Sequence, residues 1–194
     1  YQTWDVTALL RSGPNALAAT LGDGWYRGYL AYKDNRNVFG EKLALLAELW
    51  VRFEDGGEET IVTDGQWKAL PETPIRHVDY YMGIEYDARM ETPGWDDVGF
   101  DDSHWQEAAV LRRLNYKLTA QLDHPVRRQS IITPIALITT PRGEKVLDLG
   151  QNMVGWLRFR VKGPAGTRVV ISHGEVLDKD GNFYNENYRI ARAE

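Results

Sequence analysis

The stretch from residue 156 to residue 162 alternates strictly between two kinds of side chain. Leucine, phenylalanine and valine occupy every second position, while a tryptophan, two arginines and a lysine occupy the others. Because successive side chains of a strand point to opposite faces of a sheet, this period of two predicts a strand with one buried face. A Gly-Pro-Ala-Gly sequence at 163–166 predicts a turn, and residues 167–172 supply a return strand. The segment is therefore predicted to form a β-hairpin.

Other parts of the chain carry strand signals of the same kind. Residues 43–53 and 60–63 flank an Asp55-Gly56 pair, which is typical of a tight hairpin turn. Gly150 and the two residues after it predict a further reversal of the chain. Additional strands are predicted at 16–21, 125–128 and 131–139. Since no long amphipathic helix is found, the sequence predicts an all-β fold.

Composition limits the kinds of function that this chain can have. Its 194 residues are 43% hydrophobic, which is enough for a packed core and argues against wholesale disorder. The net charge of −5 is spread without long runs of one sign, so no nucleic-acid partner is expected. No apolar segment approaches the roughly 20 residues of a membrane span, so no membrane partner is expected either. The absence of cysteine rules out disulfides and thiolate metal sites.

The first residue indicates that the chain is a fragment. Residue 1 is a tyrosine rather than an initiator methionine, so we expect the chain to be part of a longer protein. No signal peptide is present. Because the parent protein can carry one elsewhere, its compartment stays open between the cytoplasm and export.

Aromatic residues are unusually frequent, with 7 tryptophans and 10 tyrosines. Aromatic planes stack on sugar rings, which favours a carbohydrate ligand, whereas the same residues also fill the cores of β-sandwiches. Most of the tryptophans are expected in a core. Trp25 is the candidate for a ligand contact, because the glycines at 22, 24 and 28 let the surrounding turn bend and present it. A buried corner is the alternative for Trp25.

A polar loop at residues 29–40 is a candidate metal site. Asp34, Asn35 and Asn37 place three oxygen-bearing side chains within four positions. Hard oxygen ligands of this kind are preferred by Ca²⁺. The spacing does not match an EF-hand, because the central glycine and the closing glutamate are missing. An ordinary solvated loop is the alternative to a calcium site.

Residues 79–89 form a second polar segment, with three acidic residues, three tyrosines and an arginine. Tyrosine faces can pack against a sugar ring, and carboxylates can accept hydrogen bonds from its hydroxyl groups. The alternative is structural, with Arg89 in a buried pair with a carboxylate that anchors a loop crossing the sandwich. The residues by themselves leave both possibilities open.

Signals for catalysis are missing from the sequence. The histidines are scattered without the spacing of metal ligands, and His104, which lies in a turn, is interpreted as structural. A glycosidase needs two carboxylates across the scissile bond, and counting acidic residues cannot identify such a pair. No nucleophile elbow, phosphate-binding loop or dinucleotide fingerprint is present. No catalytic residue is therefore assigned.

Several motifs together resemble one family of enzymes. They are YQTWDVTALLRSGPNAL at 1–17, LGDGWYRG at 21–28, YDAR at 86–89 and DLGQNMVGWLRFRVKGPAGT at 148–167. In this order they are similar to the region of bacterial α-L-rhamnosidases that precedes the catalytic (α/α)₆ barrel. The resemblance implies two truncated β-sandwich units of the jelly-roll, galactose-binding-like kind. Residues 1–112 would be a carbohydrate-binding module that lacks its first strands, and residues 113–194 an incomplete second sandwich.

The resemblance also implies a ligand and a metal ion. Calcium assists rhamnose binding in some modules of the family, with Asp and Asn donors from loops. The predicted metal ligands are therefore Asp34 and Asn35, with Ca²⁺ as the cofactor. The predicted carbohydrate-binding residues are Trp25, Tyr81, Glu85, Asp87 and Arg89. Met82 stands where the family usually has Asn or Asp, which removes one hard oxygen donor.

Two functions follow from the resemblance. In the first, the chain is an accessory region that binds rhamnose-containing carbohydrate and is attached to the rest of a parent glycosidase. That parent would hydrolyse terminal α-L-rhamnose from glycans or glycosides. In the second, the chain binds no sugar and is a scaffold that supports the catalytic barrel. In both cases the acid and the base would belong to the barrel, so the chain by itself is expected to be inactive.

Overall fold

The chain divides into two compact units in the computed structural model, which describes residues 1–31, 35–111, 117–192 and 194. One unit comprises Tyr1–Tyr80 with Ile84–Asp123, and the other comprises Tyr81–Gly83 with His124–Glu194. The domain boundary predicted between residues 112 and 113 falls within 112–116, which lie outside the described residues. That boundary stays a prediction.

Short strands make up nearly all the regular structure of the described residues. In chain order they are β1 (Glu48–Arg52), β2 (Glu58–Val62), β3 (Lys68–Ala69), β4 (Ile75–Asp79), β5 (Gly83–Tyr86), β6 (Gln106–Glu107), β7 (Ala136–Thr139), β8 (Lys145–Asp148), β9 (Val176–Leu177) and β10 (Phe183–Tyr184). The helical elements are α1 (Gly24–Arg27) and 3₁₀ turns at Thr7–Leu9, Ala88–Met90 and Glu186–Tyr188. The strands pair as β1–β2, β3–β6, β4–β5, β7–β8 and β9–β10. The prediction of an all-β fold is confirmed, and no helix within the described ranges has the length and apolar character needed to cross a bilayer.

The β1–β2 hairpin forms as the sequence predicts, although its first strand is shorter than expected. The strands are antiparallel, in a register that places Trp50 opposite Thr60. Gly56 has a φ of 87° at the turn, a left-handed conformation that glycine adopts without steric cost. The Asp55 Oδ1 atom accepts a hydrogen bond from the Gly57 backbone N–H at 2.9 Å. The Asp-Gly pair therefore shapes the reversal.

Several predicted strands are wrong. Residues 16–21, 125–128, 156–162 and 167–172 form no strand, and only Ala136–Thr139 pairs within the predicted 131–139. The turn between the last two predicted strands does form, because the Thr167 N–H donates a hydrogen bond to the Pro164 carbonyl at 3.0 Å. An alternating pattern determines which face of a strand is apolar. A ladder also needs a neighbouring strand in register, and alternation alone does not specify that neighbour.

In the second unit, the turn of the β7–β8 hairpin is fastened to the loop that precedes β10. Thr140 and Asn182 are both buried there. The Asn182 Oδ1 atom accepts a hydrogen bond from the Arg142 N–H at 3.1 Å. The Glu144 carboxylate accepts from the Phe183 N–H at 3.0 Å and from the Thr140 hydroxyl at 2.7 Å. These bonds, the one from Phe183 foremost, lower the pKa of Glu144. Polar contacts therefore join the two hairpins of this unit.

The buried side chains of both units are polar. They are Asp23, Asp79, Thr140 and Asn182, and no apolar side chain is buried among the described residues. The chain exposes 17151 Å² of surface, whereas a compact monomer of 22.2 kDa exposes about 9400 Å². The packed apolar core expected from the composition is therefore absent from the described part of the chain, because the apolar faces of its strands are left open.

Candidate functional site

The glycine-rich turn around α1 lies directly against strand β4. A Cβ atom at Gly22 would come within 2.7 Å of Val78 Cγ1. A Cβ atom at Gly28 would collide with a backbone carbonyl of α1 and with the Asp79 side chain. Only glycine permits so close an approach at these two positions. The sequence therefore folds locally so that the aromatic turn rests on the strand.

Asp23, the residue that precedes α1, is the centre of a buried polar network. Its side chain is 4% exposed, and it accepts a hydrogen bond from Arg27 Nε. Its second oxygen accepts from the Val78 N–H at 3.3 Å and lies 3.5 Å from His77 Nδ1. Burial by itself raises the pKa of Asp23. The hydrogen bonds from Arg27 and from the Val78 N–H, together with the nearby charges of Arg27 and His77, outweigh this effect of burial. The pKa of Asp23 is therefore lowered.

Asp79 lies at the other nitrogen of the same histidine. Its Oδ2 atom is 2.8 Å from His77 Nε2 and accepts a hydrogen bond from the Tyr29 N–H at 3.2 Å. The Asp79 side chain is fully buried. The Tyr29 ring also contacts the His77 ring edge to face, with centroids 6.3 Å apart. Both nitrogens of one imidazole therefore face a carboxylate, and the arrangement ties the turn around α1 to β4.

Sequence reasoning missed this network. It treated the histidines as scattered, although His77 and Asp79 are two positions apart on a strand and therefore share one face. The two-residue spacing of His77 and Asp79 could therefore have predicted that their side chains lie close together. The contact with Asp23 depends on how the turn packs on β4, and no sequence spacing reports that packing.

Trp25 stacks on Tyr80 at the surface next to this network. The ring centroids are 4.6 Å apart and the planes are inclined by 20°. The exposed fractions are 42% for Trp25 and 69% for Tyr80. The alternative of a buried corner for Trp25 is therefore wrong, and a ligand contact for Trp25 stays a prediction. Tyr80 was not among the predicted site residues.

The polar loop that carries the predicted metal ligands begins and ends in a short paired segment. Tyr29 and Arg36 form an isolated bridge, with the Arg36 guanidinium 5.1 Å from the centre of the Tyr29 ring. The Asn35 carbonyl accepts a hydrogen bond from the Leu30 N–H at 2.9 Å. Asp34 lies outside the described residues.

The described residues supply one of the two predicted calcium ligands, the exposed Asn35. No group of three or more His, Asp or Glu side chains that could hold a metal ion occurs in the part of the chain that the structure describes. One amide oxygen is too small a donor set for Ca²⁺, which takes six to eight oxygen ligands. A calcium site therefore stays a prediction.

Asp87 and Arg89, two of the predicted sugar-binding residues, bind each other. Arg89 Nε donates to Asp87 Oδ1 at 2.8 Å, and Arg89 Nη2 lies 2.6 Å from Oδ2. Asp87 also caps the 3₁₀ turn Ala88–Met90 by accepting from the Arg89 N–H. The side-chain bond from Arg89, with this backbone bond, lowers the pKa of Asp87 to about 2. The pair has the form of the predicted loop anchor, but it is exposed, since 68% of the Arg89 side chain is accessible.

The remaining predicted sugar-binding residues lie in or beside β5. Glu85 is exposed on this strand. Tyr81 and Met82 are half-buried in the segment Tyr81–Gly83, which belongs to the second unit. The structure thus brings together Trp25 with Tyr80 and Asp87 with Arg89. The roles of these residues in binding stay predictions.

Comparison with known proteins places the chain in a family. A model of the α-L-rhamnosidase N-terminal domain matches residues 1–130. The chain belongs to the α-L-rhamnosidase family. A second model, of the bacterial α-L-rhamnosidase concanavalin-like domain, matches residues 138–194. The family predicted from the sequence motifs is therefore confirmed.

Individual rhamnosidases agree with this membership. An α-L-rhamnosidase of Streptomyces avermitilis is 45% identical over 100% of this chain and 19% of its own length. The crystal structure of the Aspergillus terreus α-L-rhamnosidase matches with a TM-score of 0.82 and 38% identity, over 89% of this chain and 20% of that chain. A Streptomyces avermitilis α-L-rhamnosidase in complex with L-rhamnose matches with a TM-score of 0.78 and 41% identity, over 88% of this chain and 16% of that chain.

The similarity also bears on the fold and on the extent of the chain. The matched regions of the rhamnosidase structures are β-sandwiches, so the predicted sandwich class is confirmed. The chain spans about a fifth of the length of the curated rhamnosidases that it matches, 19% to 21%. It corresponds to their N-terminal region.

Proposed function

We propose that this chain is the carbohydrate-binding accessory region of an α-L-rhamnosidase, and that its first unit binds rhamnose-containing carbohydrate. The observation that carries the proposal is the exposed stack of Trp25 on Tyr80 beside a buried polar network. Membership in the family supports it. So does the Streptomyces avermitilis relative, whose structure holds L-rhamnose.

The stack offers a flat apolar surface of the kind that a pyranose ring needs. The C–H groups on one face of such a ring pack against an aromatic plane, and the outer part of Tyr80 is accessible for this contact. The platform is held in place before binding, because Trp25 belongs to α1, Tyr80 directly follows β4, and Asp23 bonds to β4. A preorganised surface loses little conformational entropy when a ligand binds.

The predicted polar residues would supply hydrogen bonds to the sugar. With its pKa near 2, Asp87 is ionised at neutral pH, and each carboxylate oxygen can accept more than the bonds that Arg89 donates. Glu85 is exposed on β5 and can accept from hydroxyl groups as well.

Calcium is part of the proposal as an aid to sugar binding. Asp34 and Asn35 would hold the ion, which would be bridged to the ligand by sugar hydroxyl groups. Oxygen donors from a short loop suit Ca²⁺, whose coordination is flexible. Met82 contributes no oxygen at the position where the family usually has one, so a weaker site than usual is expected.

The activity proposed for the parent protein is hydrolysis of terminal α-L-rhamnose. The acid and the base would lie in the remainder of the parent protein, which is the proposed partner of this chain. The chain would raise the local concentration of the parent on its substrate, as a second binding module does when it is tethered to a first.

Titration calorimetry of L-rhamnose into the 194-residue chain tests the proposal, after circular dichroism has shown that the sample is folded. We expect heat of binding in calcium, and a weaker or absent signal after chelation. Tyr80→Ala should weaken binding about tenfold, because the stacking surface is lost, whereas Tyr80→Phe keeps the ring and should change the affinity less than twofold. A folded sample that gives no heat in either buffer would contradict the proposal.

A structural scaffold is the second candidate function, and the exposed apolar side chains of the second unit favour it. Trp156 and Phe159 are 66% and 62% exposed, and Leu137 on β7 is 64% exposed. Apolar surface of this extent is normally covered by another part of a protein. Hydrogen exchange in the full-length parent tests this candidate. A pure scaffold predicts strong protection of 156–162 together with no sugar binding by the chain.

A further inference from the structure

The two faces of the β1–β2 hairpin differ in chemistry. One face carries Leu49 and Val51, which are half-buried, with Ile61 opposite Leu49 and Glu59 opposite Val51. The other face carries charged and hydroxyl side chains, with one valine at its end and one aromatic residue at its centre. Its members are Glu48, Trp50, Arg52, Glu58, Thr60 and Val62. The hairpin therefore has a largely apolar side and a largely polar side.

Trp50 is the aromatic residue on the polar side, and it is 76% exposed. It lies opposite Thr60, and the next pair on the same face is Arg52 opposite Glu58. Arg52 binds Glu58 through Nε at 2.8 Å and through Nη2 at 2.6 Å. A missing core explains the exposure of Ile61, which lies opposite Leu49 on the more apolar face of the hairpin. That explanation does not extend to Trp50, because four of the five other residues on its face carry charged or hydroxyl side chains.

The surroundings of Trp50 restrict what can cover it. An apolar protein surface would strip water from the Arg52–Glu58 pair without replacing its hydrogen bonds, which costs free energy. A nucleic-acid base would bring a phosphate towards Glu48 and Glu58, two carboxylates against one guanidinium. A neutral sugar avoids both penalties. Its C–H face packs on the indole, and its hydroxyl groups replace water around the ion pair.

We propose that Trp50 is the platform of a second sugar-binding subsite, which takes an internal pyranose ring of a neutral rhamnose-bearing glycan. The inference rests on the proposed function, because it assigns a further ring of the same ligand class. The Trp25–Tyr80 stack then takes the terminal sugar, and the polar face of the hairpin adds affinity for chains longer than one residue. A monosaccharide occupies the stack and leaves Trp50 open.

Hydroxyl-radical footprinting of the full-length parent protein tests this arrangement, with methyl α-L-rhamnopyranoside and a neutral α-L-rhamnan, a polysaccharide with terminal and internal rhamnose rings, as probes. Trp67 serves as the internal reference, because its Nε1 donates to the Val62 carbonyl at 3.0 Å and it is half-buried. We expect Trp50 to be oxidised both in the free protein and with the monosaccharide, and to be protected several-fold by the polysaccharide. Trp25 and Tyr80 should be protected by both probes.

Each departure from this pattern has a definite meaning. Trp50 that is protected without any sugar is covered by another segment of the protein, and Trp50 that the polysaccharide leaves unprotected is no subsite. Either result overturns the inference. Absence of protection at Trp25 and Tyr80 with either probe contradicts the proposed function at the stack. If the polysaccharide protects Trp50 but neither Trp25 nor Tyr80, the Trp50 subsite is supported and sugar binding at the Trp25–Tyr80 stack is contradicted.

A substitution gives a second, independent measurement. Trp50→Thr preserves strand propensity and creates a Thr–Thr pair with Thr60, so the hairpin is expected to form. Affinity electrophoresis in the neutral α-L-rhamnan should show about tenfold weaker retention of this variant, while Trp50→Tyr keeps an aromatic plane and most of the retention. Equal retention of Trp50→Thr and the wild type overturns the inference.

Discussion

The carboxylates of Asp23 and Asp79 face the two ring nitrogens of a single histidine, His77, at 3.5 Å and 2.8 Å respectively. Asp23 belongs to the turn around α1 and Asp79 ends strand β4. Both side chains are buried, and each also accepts a backbone hydrogen bond, from Val78 and from Tyr29. This network is what positions the exposed aromatic stack.

His77 is expected to be important for stability. His77→Ala removes a partner from two carboxylates that remain buried, so the free energy of unfolding should fall by about 3 kcal/mol. Denaturant unfolding measures this change. His104→Ala is the matched control, because that histidine is exposed in a turn, and it should cost less than about 0.5 kcal/mol. Equal losses in the two variants would show that the network is not stabilising.

Gly28 is expected to tolerate no side chain. Gly28→Ala places a Cβ against a backbone carbonyl of α1 and the Asp79 side chain, so the turn must move away from β4. A cost of about 2 kcal/mol is typical of such overpacking. Gly65→Ala is the control in the same unit, since its nearest neighbour would be Val110 Cγ2 at 3.4 Å, an ordinary contact. Thermal unfolding compares the two, and an unchanged melting temperature in Gly28→Ala would refute the expectation.

Asp87 is expected to titrate well below an ordinary aspartate. Its pKa in the folded chain is about 2, against an ordinary value of 3.8, because Arg89 bonds to the charged form. A lowered pKa means that the contribution of the pair to stability is present above pH 3.8 and is lost as the pH falls towards 2. The ¹³Cγ chemical shift of Asp87 should give a midpoint near 2.

Two substitutions separate the causes of that low pKa. Arg89→Leu removes the side-chain hydrogen bonds, which are the largest cause, but keeps the backbone N–H bond to Asp87, so the midpoint should rise part of the way to 3.8. Arg76→Leu removes only a more distant charge, which pairs with Glu72, so the midpoint should rise much less. A midpoint near 3.8 in the wild type would mean that the Asp87–Arg89 pair does not form in solution.

Asn182 is expected to hold the second unit together. Asn182→Ala leaves the N–H of Arg142 without its acceptor and removes the donor to Asp178, and the loss of these bonds at a buried side chain should cost about 2 kcal/mol. Asn185→Ala is the control, because Asn185 is exposed and makes no side-chain cap bond. Hydrogen exchange at Arg142 should quicken only in the first variant. Unchanged exchange would show that the bond contributes nothing to the joint between hairpins.

Local turns were predicted well and long-range pairings were not. The turns at Asp55-Gly56 and at 163–166 occur where the sequence places them, and the chain bends at Gly150. Gly56, Gly150 and Gly166 each have a left-handed φ. A tight turn involves about four consecutive residues, so its position can be predicted from a short stretch of sequence. The strands predicted at 156–162 and 167–172 lack a ladder, because a ladder depends on the register of two chains.

The candidate site divides in the same way. The pairing of Arg89 with a carboxylate was one of two predicted alternatives, and it is a contact between residues two positions apart. Trp25 was singled out from a glycine-rich turn, which is also a local signal. Its partner Tyr80 was not, since the stack forms only when the turn packs on β4.

The sequence by itself determined the family, the all-β class and the positions of the tight turns, because motifs and turn residues act over a few neighbouring positions. Only the tertiary structure decided that His77 joins Asp23 to Asp79, that Trp25 stacks on Tyr80, and that Trp50 lies on a polar face of its hairpin. These contacts depend on which segments meet and in what register. Segments far apart in the sequence are brought together by packing and strand pairing, and no pattern of neighbouring residues specifies which segments meet.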